Sequence, residues 1–261
     1  MKIDEQTAAI VTGGASGLGR AAAEALAAAG IKVAIFDLNE DSGKDVADSI
    51  GAVFCNTNIL DEEDVIESFD QARKANGQER ILIHCAAAAR PPKKTVYMDK
   101  KAGEYTRQST ENFAFATDGV LVSSYRLASL SALGMASLDP LEDGERGVIT
   151  LTSSAAAQDG QIGQTGYGSA KAGINGLVLP MARDLMDLGI RVNAIMPGIF
   201  ATPPMLSVPE AILDSLAASV PFPKRLGKPE EFGSLVLELA KNSYFNGQAL
   251  RIDGAIRMPP R

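Results

Sequence analysis

Short apolar runs alternate along the chain with longer stretches whose apolar positions recur at helical spacing. The runs lie at 7–12 (TAAIVT), 31–37 (IKVAIFD), 51–55 (GAVFC), 80–86 (RILIHCA), 147–152 (GVITLT), 190–196 (IRVNAIM) and 248–252 (QALRI), and each predicts a strand. Between them, helices are expected over 17–29, 40–49, 61–76, about 104–137, 165–187, 209–219 and 229–241. Local chemistry agrees. The stretch 17–29 is alanine-rich, with Gly30 placed to end it. The DEED turn at 61–64 suits the positive end of a helix dipole. Strand and helix alternating in this way predict an α/β fold: a doubly wound, seven-stranded parallel sheet with helices on both faces. The expected strand order is 3-2-1-4-5-6-7. No repeat, low-complexity tract or linker interrupts it, so residues 1–261 are expected to form a single domain.

Composition narrows the function. Of 261 residues, 46% are hydrophobic and 22% charged, which excludes a largely disordered chain. The net charge of −7 disfavours binding to nucleic acid or an anionic membrane. No window of ~18 uninterrupted apolar residues predicts a membrane span. The opening MKIDEQ, with Asp4 and Glu5, reads as neither a signal peptide nor a basic transit peptide. Cys55 and Cys85 fall on separate expected strands, which excludes a disulfide scaffold and favours a cytoplasmic location. One histidine and two cysteines cannot build a zinc site of usual spacing, so no metal is expected.

The first strand runs into Thr12-Gly13-Gly14-Ala15-Ser16-Gly17-Leu18-Gly19, and a helix follows at once. Glycines allow a tight turn and close approach of a diphosphate, and the helix start offers free N–H groups. Gly13, Ser16, Gly17, Leu18 and Gly19 are therefore candidate cofactor residues, as in a Rossmann fold. Asp37 ends the second strand about 20 residues on, where a carboxylate accepts from ribose hydroxyls and repels the 2′-phosphate of NADP. NAD is the expected cofactor.

Tyr167 and Lys171 stand four apart in GYGSAKAG, on one face of a predicted helix. A free phenol, with a pKa of ~10, is a poor base at neutral pH. A neighbouring ammonium favours the phenolate. The fifth strand ends in Thr152-Ser153-Ser154, at the edge that faces the cofactor crevice. A serine there can bond a substrate oxygen. Chemistry alone does not separate Ser153 from Ser154.

Together these residues resemble the short-chain dehydrogenase/reductase family over nearly the whole chain. The likeness rests on TGGASGLG, Asp37, the Ser154…Tyr167-x-x-x-Lys171 set, Met196-Pro197-Gly198, and Asn246-Gly247…Asp253-Gly254. It selects Ser154 over Ser153. It implies Tyr167 as general base in oxidation, Ser154 as the orienting hydroxyl, and Lys171 on the nicotinamide ribose. It also places Asn58 and Ile59 at the adenine, Cys85, Ala86 and Ala87 in the turn after the fourth strand, and Pro197, Gly198 and Thr202 near the carboxamide. Stretches such as VPFPKRLGKPEEFG and NGQALRIDGAIRMPP resemble the type II 3-hydroxyacyl-CoA dehydrogenases, also described as a 17β-hydroxysteroid dehydrogenase type. That likeness implies a homotetramer oxidising a secondary alcohol on an acyl-CoA or a steroid. The family asparagine on the long helix has no counterpart. Counting from Gly119 puts Ala116 there, a one-residue slip puts Thr117, and Asn112 lies a turn earlier. A competing reading is therefore an NAD-binding protein without turnover, kept for assembly or regulation.

The remaining features have plainer readings. His84 is expected to pack, and Lys93, Lys94, Lys100 and Lys101 to form a solvated loop face. Gln161, Gln164 and the excursion at 88–105 should wall the substrate mouth, where Pro91 and Pro92 would narrow it in favour of small alcohols. Phe200, Met205 and Leu206, in a Pro-rich loop that would act as a lid, favour an apolar substrate body. The apolar tail with Ile256 and Met258 should dock rather than hang free.

Overall fold

In the computed structural model, which describes residues 1–260, all seven apolar runs become strands. In chain order the strands are β1 (Ala8–Thr12), β2 (Lys32–Asp37), β3 (Val53–Asn56), β4 (Ile81–His84), β5 (Val96–Asp99), β6 (Glu104–Arg107), β7 (Gly147–Thr152), β8 (Ile190–Pro197) and β9 (Ala249–Ile252). Seven of them form one parallel sheet in the order β3-β2-β1-β4-β7-β8-β9, and β5 and β6 pair separately as a hairpin. The main sheet matches the expected order. The chain reverses its direction of winding between β1 and β4, which opens a crevice at the carboxyl ends of those strands.

Helices α1 (Gly17–Ala28), α2 (Glu40–Ile50), α3 (Glu62–Asn76), α4 (Thr110–Thr117), α5 (Ser123–Met135), α6 (Thr165–Asp184), α7 (Pro203–Leu206), α8 (Glu210–Ser219) and α9 (Pro229–Lys241) complete the fold. The sheet is covered on both sides because its strands are apolar at both alternating sets of positions. On β4, Leu82 joins a core with Phe69, Leu127 and Ile174, from α3, α5 and α6. Its neighbours Ile81 and Ile83 join the opposite core with Leu26, Phe232 and Val236, from α1 and α9. At the start of α3, Asp61 accepts from the N–H groups of Glu63 and Asp64, as the acidic turn suggested.

Two expectations are corrected. The helix expected from 104 begins at Thr110, because residues 104–107 pair antiparallel with 96–99. The signal was the extended VYM run and the turn after it, where the Asp99 carboxylate accepts from Lys101 and Ala102 N–H and Gly103 takes a positive φ. The long helix is also interrupted by a wider π turn at Asp118–Val122. Gly119 sits in that turn, where an added Cβ would lie 2.2 Å from the Ala88 carbonyl oxygen. The helix thus presses directly on the loop after β4. Cys55 and Cys85 are free thiols, with β2 and β1 between their strands.

Candidate active site

At the end of β1 the chain turns through Gly13 (φ 68°) and Gly17 (φ 55°). A Cβ on Gly13 would fall 2.8 Å from the Ala86 nitrogen, and one on Gly19 would fall 2.2 Å from the Gly13 oxygen. Backbone therefore packs on backbone, and α1 opens on Ser16 without a side-chain cap. The first-turn N–H groups face the crevice as ready donors for a diphosphate.

Thr12 pins this loop to the one after β4. Its Oγ1 accepts from Cys85 N–H (3.2 Å) and Ala86 N–H (3.1 Å). With two donors already on that oxygen, the hydroxyl donates to His84 Nδ1, 2.7 Å away. His84 is buried. Burial, then the nearby Lys171 charge, pushes its pKa down to about 3. It is a neutral packing residue, as expected.

Asp37 is tied to the glycine loop. Its Oδ2 accepts from Ala15 N–H and its Oδ1 from Asn39 N–H, each at 3.0 Å. Both bonds hold the carboxylate at the rim of a cavity of about 610 Å³, a size suited to a cofactor. Gly13, Ser16, Gly17, Leu18, Gly19, Asp37, Asn58, Ile59, Cys85, Ala86, Ala87 and Thr202 line it. The loop geometry and the donor set fit a dinucleotide. Of the other residues expected at the cofactor, Tyr167, Lys171, Pro197 and Gly198 lie off this lining. Pro197 is paired with Ile252 at the end of β8, and an added Cβ on Gly198 would meet Asp253 at 2.7 Å. The sequence reading missed Phe115 and Pro204, which also line the cavity. Helical spacing around Phe115 carried no sign of that role.

Helix α6 places Tyr167 and Lys171 one turn apart beside the end of β7. The two serines have separate partners. Ser153 Oγ is buried and donates to the Lys171 carbonyl at 2.9 Å. Ser154 Oγ accepts from Ala156 N–H at 3.1 Å, and its hydroxyl is close enough to the Tyr167 phenol to favour the phenolate. Ser154 is thus the serine next to Tyr167.

The expected electrostatics need correction. Burial raises the Tyr167 pKa, and the Ser154 hydrogen bond works against that rise. Lys171 Nζ lies 5.8 Å from the Tyr167 ring centroid and donates to the Thr152 carbonyl at 2.5 Å. The ammonium is not hydrogen-bonded to the phenol. Burial lowers its own pKa to about 8, because the charged form loses its hydration.

Tyr167 also borders a second chamber of about 190 Å³, walled by Arg90, Pro91, Pro92, Gln108, Asn112, Ala116 and Gln164. The excursion does reach the site. Of the two positions for the missing asparagine, Ala116 faces this chamber, while the Thr117 hydroxyl donates back to the Phe113 carbonyl. Asn112 Oδ1 accepts from Arg90 Nη1, so that side chain is already engaged. Gln161 points away, donating through Nε2 to the Pro259 carbonyl. The tail docks within the subunit: Ile256 is buried, and Ile162 N–H donates to the Pro260 carbonyl. Phe200 is not a substrate contact either. It is buried edge-on against Phe232, at a centroid distance of 6.5 Å.

A family profile described as Enoyl-(Acyl carrier protein) reductase matches residues 13–256. The chain is 42% identical over 253 residues to a 3-hydroxyacyl-CoA dehydrogenase type-2 of Drosophila melanogaster, covering 96% of this chain and 97% of that one. The protein of the same name from Homo sapiens is 41% identical over 254 residues, covering 97% and 95%. A crystal structure of 3-hydroxyacyl-CoA dehydrogenase type-2 from Mycobacterium avium superposes with a TM-score of 0.92, at 41% identity and 98% coverage of both chains.

Proposed function

Because the chain belongs to the short-chain dehydrogenase/reductase family, we propose that Tyr167, Ser154 and Lys171 perform its chemistry on a 3-hydroxyacyl-CoA-like alcohol, with NAD as cofactor. The protein is an oxidoreductase, and its reaction is hydride transfer between a secondary alcohol or ketone and a nicotinamide cofactor. The observation that carries our assignment is the position of Tyr167. It borders the small chamber, and Lys171, one helical turn on, reaches the carbonyl of Thr152, which lines the dinucleotide-sized cavity.

In oxidation, Tyr167 Oη takes the proton of the substrate carbinol, and in reduction it returns one to the ketone oxygen. Ser154 Oγ, beside that phenol, holds the substrate oxygen in place. NAD, when bound, supplies the hydride acceptor. Burial opposes the phenolate, at ~1.4 kcal/mol for each pKa unit to be recovered. The Ser154 hydroxyl works against this cost, and the Thr152 carbonyl fixes the Lys171 ammonium. With a pKa of about 8, Lys171 holds or releases a proton close to neutral pH.

Asp37 supports NAD over NADP, since a second anion at the rim would meet its carboxylate. The net charge of −7 disfavours nucleic acid as a partner, and no helix among the described residues is long and apolar enough to cross a membrane. A mainly apolar groove of about 300 Å³ beside α5 and α6, with Tyr125 and Leu133 exposed on it, supports packing against further copies in a homotetramer. The proposed location is the cytoplasm, and the proposed unit of function is the whole chain as one domain.

Steady-state kinetics with NADH test the substrate. Acetoacetyl-CoA is expected to be reduced faster than a steroid ketone or a short aliphatic ketone. No rate with acetoacetyl-CoA alongside turnover of the small ketone would remove the acyl-CoA assignment and leave the family chemistry standing.

A further inference from the structure

Arg90 is the one cationic side chain on the lining of the Tyr167 chamber among the described residues, and no acid shares that lining. The guanidinium is held in a defined place. Its carbon lies 4.9 Å from the Phe115 ring centroid, and Nη1 donates to Asn112 Oδ1. Phe115 lines the larger cavity. The Arg90–Phe115 stack therefore stands on the wall between the two spaces, on the substrate side of Tyr167.

Its charge is poorly matched. The nearest carboxylate is Glu111, 3.6 Å from Nη2 and 80% exposed. Such a contact is worth little in water. A solvated partner of that kind yields readily to a carboxylate brought in by a ligand, because a planar guanidinium fork pairs two carboxylate oxygens at once. The rest of the wall is uncharged: amides of Gln108, Asn112 and Gln164 stand among apolar surface from Ala116, Pro91 and Pro92, and the two prolines stiffen it. One fixed positive charge and amide groups in about 190 Å³ suit a small monoanion rather than a long apolar chain.

Building on the dehydrogenase reading above, we propose that Arg90 is the receptor for a substrate carboxylate. The protein would then act on free short-chain 3-hydroxy and 3-oxo acids, in addition to any thioester. The acid lies with its 3-oxygen at Tyr167 and its carboxylate on Arg90, in place of Glu111. Reduction of a 3-oxo acid takes one hydride from NADH and one proton from Tyr167, and gives the 3-hydroxy acid and NAD.

The test compares wild type with Arg90→Gln, Arg90→Lys and Tyr167→Phe, using acetoacetate, acetoacetyl-CoA and 2-pentanone as ketones. It adds calorimetric titration of 3-hydroxybutyrate into the NAD-saturated protein. In Arg90→Gln the ratio of kcat/KM for acetoacetate to that for 2-pentanone should fall at least thirty-fold, and 3-hydroxybutyrate affinity at least ten-fold. Arg90→Lys should restore part of both. An unchanged ratio and unchanged affinity would overturn the proposal. So would an equal loss with acetoacetyl-CoA, since a neutral thioester has no carboxylate to pair. Tyr167→Phe separates the two readings: it should bind 3-hydroxybutyrate yet lose turnover. Full turnover in that variant, with the Arg90 affinity loss intact, would remove the dehydrogenase mechanism and leave the anion site.

Discussion

Replacing Gly19 with alanine puts a single methyl where the fold has no space. The added Cβ would lie 2.2 Å from the Gly13 oxygen, 2.6 Å from the Gly13 carbonyl carbon and 3.1 Å from the Gly14 nitrogen. All three are backbone atoms, so no rotamer change relieves the clash. The start of α1 and the glycine loop must move apart by about 1 Å to reach even a tight contact. Overpacking of this kind costs ~1–3 kcal/mol, sometimes more. Alanine recovers ~1 kcal/mol through its helix propensity. With the clash at the upper end of that range, the net loss should be about 1–2 kcal/mol, which for a chain of this size lowers Tm by roughly 2–8 °C.

The same movement spoils the diphosphate cradle, so the NADH Kd measured by calorimetry should rise at least ten-fold. Gly176→Ala is the control. It lies inside α6, and an added Cβ there meets nothing within 4 Å. That variant should gain ~0.5–1 kcal/mol and bind NADH normally. Opposite signs for one chemical change follow only from where the methyl lands. If Gly19→Ala keeps the wild-type Tm and NADH affinity, the packing of the loop described above is wrong.

Asp37→Ser should weaken NADH binding and tighten NADPH binding, and calorimetry with both cofactors would detect no change in their ratio if Asp37 does not face the ribose. His84 predicts a pH effect. It is the only histidine in the chain, and its pKa is about 3 when folded against 6.5 as the ordinary value. The unfolded chain gains this proton first as pH falls, so stability should decline below pH 6.5, by up to ~1.4 kcal/mol per pH unit. Between pH 6.5 and 5, above the carboxylate range, that slope should flatten in His84→Gln, and an equal slope in both proteins would contradict the burial argument. Phe200→Ala should cost ~3–5 kcal/mol in chemical denaturation and leave the order of preference among ketones as it was. A changed order would return Phe200 to the substrate wall.

The sheet was legible because its signal is local. Each core strand is a short run of apolar residues with a turn on either side, and parallel burial leaves little ambiguity. Gly13, Gly17 and Asp37 were legible because a strand-to-helix turn and a strand end place them without any long-range knowledge. What escaped were features set by contacts across the chain. The hairpin at 96–107 has exposed faces and so lacks the apolar run of a core strand. Phe200 looked like lid material because Phe232, which covers it, comes 32 residues later. The Tyr167–Lys171 spacing correctly gave one face of one helix. It did not reveal that the Thr152 carbonyl holds the ammonium, or that burial raises the phenol pKa. Arg90 lay in a segment whose sequence shows only charge and proline, and its meeting with Asn112 depends on the π turn that seats the helix against the loop after β4.

The rate of NADH-dependent ketone reduction in Tyr167→Phe, beside NADH affinity in the same protein, tests the central claim most directly. In the proposed mechanism the phenol is the proton donor at the reacting oxygen, and the variant keeps the ring that packs against the core. The expected result is a loss of at least a hundred-fold in kcat, in line with the ~10²–10⁴ carried by general acid–base groups, with NADH affinity within two-fold of wild type. A Tyr167→Phe protein that reduces the ketone at the wild-type rate would contradict the account.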